Sequence, residues 1–151
     1  MKLLKVVLLL TASMFVSSVF AQEAVPAVAV ASNEISAAIG KPEPGKALIV
    51  FFRPSAFKGG AINFIVREGE AELGRLRSGN YFTLQVEPGK HTYTVHAENQ
   101  DVNAIEAEEG ETYFFAGEIN FGFLSGRPNL APSNQEGFAA AFKKLKKSKP
   151  L

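Results

Sequence analysis

The stretch Leu48-Ile49-Val50-Phe51-Phe52 decides the fold class of this chain. It is an unbroken apolar run rich in β-branched and aromatic residues, which is typical of a strand covered on both faces. Arg53-Pro54 ends the run, because proline lacks the backbone N–H that a central strand needs. The rest of the chain is therefore expected to supply the layers that cover this strand.

Six shorter strand candidates follow the central run, at residues 62–66, 71–77, 82–86, 93–97, 102–108 and 112–119. Apolar and polar residues alternate in the clearest of them, and Gly74 indicates a bulge. Glu87-Pro88-Gly89-Lys90 predicts a turn, so the segments on either side of it are expected to form a hairpin. Seven short strands at this spacing favour a mainly-β fold, an antiparallel β-sandwich, with a small barrel as the alternative.

The segments that flank the strands have different compositions. Ala, Val and Pro dominate residues 22–46, which we interpret as a tether with one possible helical turn at residues 35–39. Residues 47–147 form the predicted β-sandwich domain, and residues 148–151 are a short tail. Glycines and prolines punctuate residues 120–132, which predicts a loop.

A C-terminal amphipathic helix is predicted over residues 134–147. Ser133 and Glu136 have the spacing of a capping box, which marks a helix start. Phe138, Phe142 and Leu145 recur at helical spacing and form one apolar stripe. We expect this stripe to dock on the sheet.

Residues 1–21 are typical of a secretory signal peptide. Lys2 and Lys5 give a basic start, an apolar stretch follows, and Val19 and Ala21 are the small residues that signal peptidase requires before Gln22. A retained membrane anchor is the alternative, but the apolar run of about 16 residues is short for a bilayer. Cleavage between Ala21 and Gln22 is therefore expected, which leaves a periplasmic or secreted protein.

Composition narrows the classes of function. The 151 residues allow one modest domain and contain no cysteine, which excludes disulfides, thiolate metal sites, a cysteine nucleophile and a lipidated cysteine. The formal net charge is +1, and it becomes −1 when Lys2 and Lys5 leave with the signal. A nucleic-acid partner is disfavoured, since neither value gives a strong positive field.

Several strings resemble a pattern found in the bacterial domain of unknown function 2846 family. They are the strings at residues 45–54, 74–82, 86–92, 110–113 and 121–128. The similarity spans residues 45–146, and the turn at 86–91 also resembles PEGA-type and carbohydrate-associated surface modules. The resemblance implies an immunoglobulin-like β-sandwich in an exported envelope protein, and it implies no activity. Many members look like lipoproteins, from which this chain departs because it has no cysteine.

Two arginines and two tyrosines are candidates for ligand contact. Arg53 and Arg127 each precede a proline, where an arginine can pin a loop through backbone carbonyls or bind an anion. Tyr81 and Tyr113 are either aromatic residues of the sheet or platforms for a sugar. The sequence alone does not decide between a structural role and ligand contact for any of these four residues.

The C-terminal lysines are candidates for contact with the cell envelope. They are Lys143, Lys144, Lys146, Lys147 and Lys149. Positive charges in the last turn of a helix interact favourably with its macrodipole, so one interpretation is a solvated helix end. Peripheral contact with anionic lipid headgroups or envelope polymers is the other.

No catalytic constellation, metal site or cofactor is expected. His91 and His96 are five residues apart on one predicted strand and so face opposite sides of it. The sequence also contains no Gly-x-Ser-x-Gly, His-Glu-x-x-His or phosphate-cradling glycine loop. We therefore expect a non-enzymatic module that binds an envelope protein or polymer, with a small-ligand or carbohydrate-binding module as the alternative.

Overall fold

The computed structural model describes residues 26–96, 100–121 and 126–151. The predicted signal peptide lies outside these residues. In chain order the elements are α1 (Pro26–Ile39), β1 (Ala47–Arg53), β2 (Phe64–Glu68), β3 (Ala71–Leu76), β4 (Asn80–Val86), β5 (Gly89–His96), β6 (Gln100–Ala107), β7 (Thr112–Phe121), β8 (Gly126–Ser133), α2 (Gln135–Phe142) and β9 (Lys146–Lys147). The prediction of a mainly-β chain is confirmed.

The described strands form two sheets. The five-stranded sheet has the order β8-β7-β1-β4-β9, and the four-stranded sheet has the order β3-β2-β5-β6. Most pairs are antiparallel, but β1 with β7 and β4 with β9 run parallel. Every residue of β1 is buried, as the continuous apolar run predicts.

One core cluster fills the space between the sheets. Both sheets contribute buried side chains to it, including Ile49, Phe51, Phe64, Val66, Leu76, Phe82, Tyr93, Val95, Phe115 and Leu130. Phe51 is at its centre, with ring centroids 5.1 Å from Phe82, 4.9 Å from Tyr93 and 5.5 Å from Phe115. Such aromatic contacts add to the free energy gained by burying the rings.

A second cluster covers the other face of β1. Leu48, Val50 and Phe52 point to this face, where both helices pack. Phe138 of α2 makes edge contacts with Phe52 at 5.3 Å and with Tyr81 at 5.2 Å. The docking of an apolar helix face on the sheet thus occurs as predicted, through Phe138.

Helix α1 extends well beyond the single turn predicted within the tether. Its described part is Pro26–Ile39, and it ends before Gly40, whose φ is 88°. Ile35 and Ile39 are buried in the second cluster. Gln85 also holds the following segment, because its side chain accepts from Glu43 N and donates to Lys41 O. Residues 35–43 therefore pack against the domain. Neither described helix has the length and apolarity needed to cross a membrane.

The predicted hairpin around Pro88-Gly89 is wrong. β4 lies in the five-stranded sheet beside β1, whereas β5 lies in the other sheet between β2 and β6. The turn thus carries the chain from one sheet to the other. Alternation shows which side chains face the core, and it is the same for a hairpin and for a crossover between two sheets that share one core.

The predicted loop at residues 120–132 is largely a strand. β7 continues to Phe121, and β8 pairs with it in antiparallel fashion. Phe121 pairs with Gly126 at one end of the ladder, and Phe114 pairs with Ser133 at the other. Pro128 and Pro132 are tolerated because β8 is the edge strand of its sheet. Residues 122–125 lie outside the described part of the chain.

The C-terminal helix is shorter than predicted. Asn134, not Ser133, caps α2, accepting a 2.8 Å hydrogen bond from Gly137 N. The helix ends at Phe142, and Lys146 N then donates to Gly79 O while Ser148 N donates to Tyr81 O. Residues 146–147 thus pair with the edge of β4 as β9. This pairing satisfies backbone groups of β4 that would have no partner if the helix continued to residue 147.

Replacement of Tyr93 by Phe tests the free-energy cost of burying its hydroxyl in the core. Tyr93 is fully buried, and within the described residues its hydroxyl makes no hydrogen bond. Tyr93→Phe keeps the ring contacts and is expected to leave the free energy of unfolding unchanged or higher by about 1 kcal/mol near pH 7. Urea unfolding measures this change, and a loss above about 1 kcal/mol would mean that the hydroxyl is bonded.

The same variant should alter the alkaline behaviour. Burial, reinforced by the Glu68 carboxylate, raises the pKa of Tyr93 above its ordinary value. The unfolded chain releases the proton near about pH 10 while the folded chain keeps it, so the free energy of unfolding falls as pH rises above that point. Tyr93→Phe should flatten this decline, measured by urea unfolding across that pH range.

Candidate functional site

Arg53 is the buried cation at the end of the central strand. It follows Ile49 and Phe51 on the inter-sheet face of β1, and its relative exposure is 2%. The guanidinium donates Nη1 to Ile62 O and donates Nη2 to Gly59 O at 2.7 Å. Its Cζ also lies 5.5 Å from the centroid of the Phe64 ring. Burial lowers the pKa of Arg53, but an arginine remains charged at neutral pH.

These contacts hold the loop that joins β1 to β2. Arg53 binds carbonyls at the far end of the loop, and Ser78 fixes the near end, accepting from Ala56 N at 2.9 Å and donating to Ala56 O at 3.1 Å. Gly59 has a φ of 75°, and an added Cβ would lie 2.9 Å from the Phe121 ring, so glycine is required there. The hydrogen bonds to Gly59 O and Ile62 O are those expected of a loop-pinning arginine.

The loop displays an aromatic side chain. Phe57 has a relative exposure of 106%, so it contacts little besides solvent. Lys58 places its Nζ 4.1 Å from the centroid of the Phe121 ring, and Phe121 is itself 42% exposed. We call Phe57, Lys58 and Phe121 the Phe57 patch. The sequence marks this segment only as a loop, since nothing in it distinguishes an exposed phenylalanine from a buried one.

The other three ligand candidates are dispersed. Tyr81 is buried in the second cluster, where its hydroxyl donates to Ala38 O at 3.3 Å and burial raises its pKa. Tyr113 packs on the first cluster, and its hydroxyl accepts from Glu108 N at 3.1 Å. Arg127 is exposed on edge strand β8, in register with Asn120. The two tyrosines therefore face opposite sides of one sheet and do not form a common platform with Arg53.

The C-terminal lysines do not form one surface on a helix end. Lys143 and Lys144 follow α2, and Lys144 lines a small cavity with Pro54 and Ser55. Lys146, Lys147 and Lys149 lie instead beside β3, where they line a cleft with Arg75 and Arg77. Lys147 Nζ donates a 2.9 Å hydrogen bond to Ala38 O, which is one of the last carbonyls of α1.

One cavity of the described residues lies away from all the predicted ligand residues. It measures about 520 Å³ between the ends of the two helices and the start of β7, with Ser36, Lys41, Glu111 and Asn134 among its polar walls. Arg53 lines a smaller cavity of about 240 Å³ with Lys58 and Glu118. Of these two cavities, only the smaller one includes one of the four predicted ligand residues, which is Arg53.

The sequence predicts no metal site and places His91 and His96 on opposite sides of a strand. Of these two side chains, the structure describes only that of His91. His91 Nδ1 lies 2.8 Å from Glu68 Oε1, and its Nε2 lies 2.8 Å from Glu87 O, so both ring nitrogens have protein partners. The His96 side chain is outside the described part. Among the side chains that are described, no three metal-ligating groups come together.

Replacement of Arg53 by Gln tests its hold on the loop. The change removes two hydrogen bonds from a charged donor and leaves two loop carbonyls to find water, so the free energy of unfolding should fall by about 3 kcal/mol. Phe57→Ser, on the exposed tip of the same loop, is the control and should change it by less than about 0.5 kcal/mol. Urea unfolding measures both, and equal effects would contradict the assignment.

Comparison with known proteins gives a family without an activity. The family described as a protein of unknown function (DUF2846) matches residues 43–127, from the segment before β1 to the start of β8. The match includes Arg53 and the Phe57 patch, and it stops before α2 and β9. No curated protein matches the chain. Because the match covers more than half of its residues, this chain belongs to the DUF2846 family.

Proposed function

We propose that this protein is an exported, non-catalytic module of the cell envelope, an immunoglobulin-like β-sandwich that binds a protein or an envelope polymer. One observation carries the proposal. Phe57 is held fully in solvent by a loop whose two ends are fixed by Arg53 and Ser78. A large apolar side chain on an anchored loop is a contact surface rather than part of the core.

The Phe57 patch suits a binding role on energetic grounds. Burial of one phenylalanine against a partner contributes about 1.5–3 kcal/mol, and Phe121 enlarges the apolar area. The Arg53 and Ser78 contacts order the loop before binding, which reduces the entropy lost in the complex. Lys58 adds a positive charge beside the rings. The patch therefore fits a partner with an apolar pocket and an acidic rim.

The export part of the proposal depends on residues 1–21. Their basic start, apolar stretch and small residues before Gln22 have the order of a cleavable signal. The lack of cysteine leaves no site for a lipid on that side chain, so the proposed location is the periplasm or the exterior. Peripheral contact with the membrane through the C-terminal lysines remains part of this proposal.

A small-ligand or carbohydrate-binding module is the second candidate. The cavity of about 520 Å³ favours it, since that volume suits a small molecule and its walls carry hydroxyl, amide and charged groups. Arg53, Arg127, Tyr81 and Tyr113 do not line this cavity. A ligand there would contact the loop before β1 and the start of α2 instead.

Native mass spectrometry of the protein isolated from cells tests both location and ligand. The expected mass is that of a chain beginning at Gln22, because the signal is removed on export. Full-length protein in the cytoplasm would contradict export. A noncovalent small molecule that copurifies at one per chain would favour the second candidate over the first.

Site-specific photo-crosslinking in intact cells tests the Phe57 patch. A photoreactive residue at position 57 should give one dominant adduct, because this side chain is the proposed point of contact. Val102 is the matched control, an apolar side chain that is 54% exposed on edge strand β6. Equal adducts at both positions, or none at position 57, would contradict the proposal.

A further inference from the structure

A positively charged cleft lies between the edges of the two sheets. It measures about 270 Å³ and is lined by Arg75, Arg77, Asn80, Lys146, Lys147, Ser148, Lys149 and Leu151. One wall is β3 of the four-stranded sheet, and the other is β9 with the residues that follow it. The alternation of β3 turns Leu76 into the core and leaves Arg75 and Arg77 exposed on the opposite side.

The cleft gathers cations without a compensating acid. Five of its lining residues carry a positive charge, and no aspartate or glutamate lines it. Ion pairs elsewhere in the described residues include Lys46 with Glu43 and Arg67 with Glu72. Within that part of the chain, the side chains of Arg75, Arg77, Lys146 and Lys149 make no ion pair or hydrogen bond. Like charges placed together repel one another unless an anion neutralises them.

The two walls are fixed relative to each other by one buried side chain. Asn80 is 8% exposed, and its Nδ2 donates to Arg75 O and to Ser148 Oγ, both at 3.0 Å. Its Oδ1 accepts from Arg77 N at 2.7 Å. The tail is tied down further by Ser148 N, which donates to Tyr81 O, and by Leu151 N, which donates to Leu73 O. The backbones that carry the cations are therefore ordered before any ligand arrives.

We infer that this cleft is a binding site for a phosphate group. A phosphate monoester carries nearly two negative charges and three acceptor oxygens, which matches several converging cations better than a single carboxylate does. The guanidinium of Arg75 or Arg77 can donate two parallel hydrogen bonds to it, and the lysines supply mobile charge. Lys147 already donates to Ala38 O, so Lys146 and Lys149 provide the lysine contacts. The site lies apart from the Phe57 patch and does not depend on it.

Titration of the isotopically labelled full chain with inorganic phosphate tests the site. Amide signals of residues 75–80 and 146–149 should shift, whereas sodium acetate at equal ionic strength should not shift them. The paired substitution Arg75→Gln with Arg77→Gln should weaken phosphate binding by about tenfold or more, since it removes charge-assisted hydrogen bonds. Lys46→Gln with Lys90→Gln makes the same charge change on residues outside the cleft and should have no such effect.

A second arm identifies the source of the phosphate. Vesicles containing phosphatidic acid, whose headgroup is a phosphate monoester, should be compared with vesicles of phosphatidylcholine by co-sedimentation. Binding to the former, abolished by the two arginine substitutions and reduced by free phosphate, would assign the site to a lipid headgroup. Binding of free phosphate without vesicle binding would assign it to a soluble phosphate. Equal shifts with acetate, equal losses in the control variant, or no binding in either arm would overturn the inference.

Discussion

The burial of β1 on both faces is the constraint on which the rest of the structure depends. Its seven residues are all buried, with Ile49 and Phe51 facing the four-stranded sheet and Val50 and Phe52 facing the helices. A single sheet with one covered face would leave half of these side chains in water, at a cost of about 1.5–3 kcal/mol for each. The fold therefore needs a third layer, which α1 and α2 provide.

The same alternation explains the position of Arg53. It follows Ile49 and Phe51 on the inter-sheet face, so the last side chain of β1 enters a buried region as a cation. A buried guanidinium is stable only when its donors are satisfied, and the carbonyls of Gly59 and Ile62 satisfy them. The same loop carries Phe57, whose side chain lies in solvent. A core arginine thus holds the loop that presents an exposed phenylalanine.

The sequence predicted features that depend on neighbouring residues and missed those that depend on distant ones. The apolar run of β1, the strand identity of residues 82–86 and the docking of Phe138 follow from local patterns, and the structure contains all three. The crossover at Pro88-Gly89 could not be inferred, because a hairpin and a change of sheet require the same turn chemistry. β9 forms only because the edge of β4 is near, a fact that no property of Lys146-Lys147 encodes. Likewise, Arg75 and Arg77 meet the C-terminal lysines through the fold and not through any shared motif.

The parallel pairing of β1 with β7 has a consequence for how the chain folds. Leu48 pairs with Thr112 and Phe52 with Ala116, so the most apolar strand finds this neighbour more than half of the domain later. Its other neighbour, β4, also comes only after two strands of the opposite sheet. Contacts so distant in sequence form slowly, because the intervening chain must close large loops first.

During synthesis β1 is therefore uncovered for most of the time that the chain is being made. A segment such as Leu48–Phe52, without charge or proline, has the composition of segments that pair with other chains when they are exposed. The late covering of β1 is thus a consequence of the topology itself.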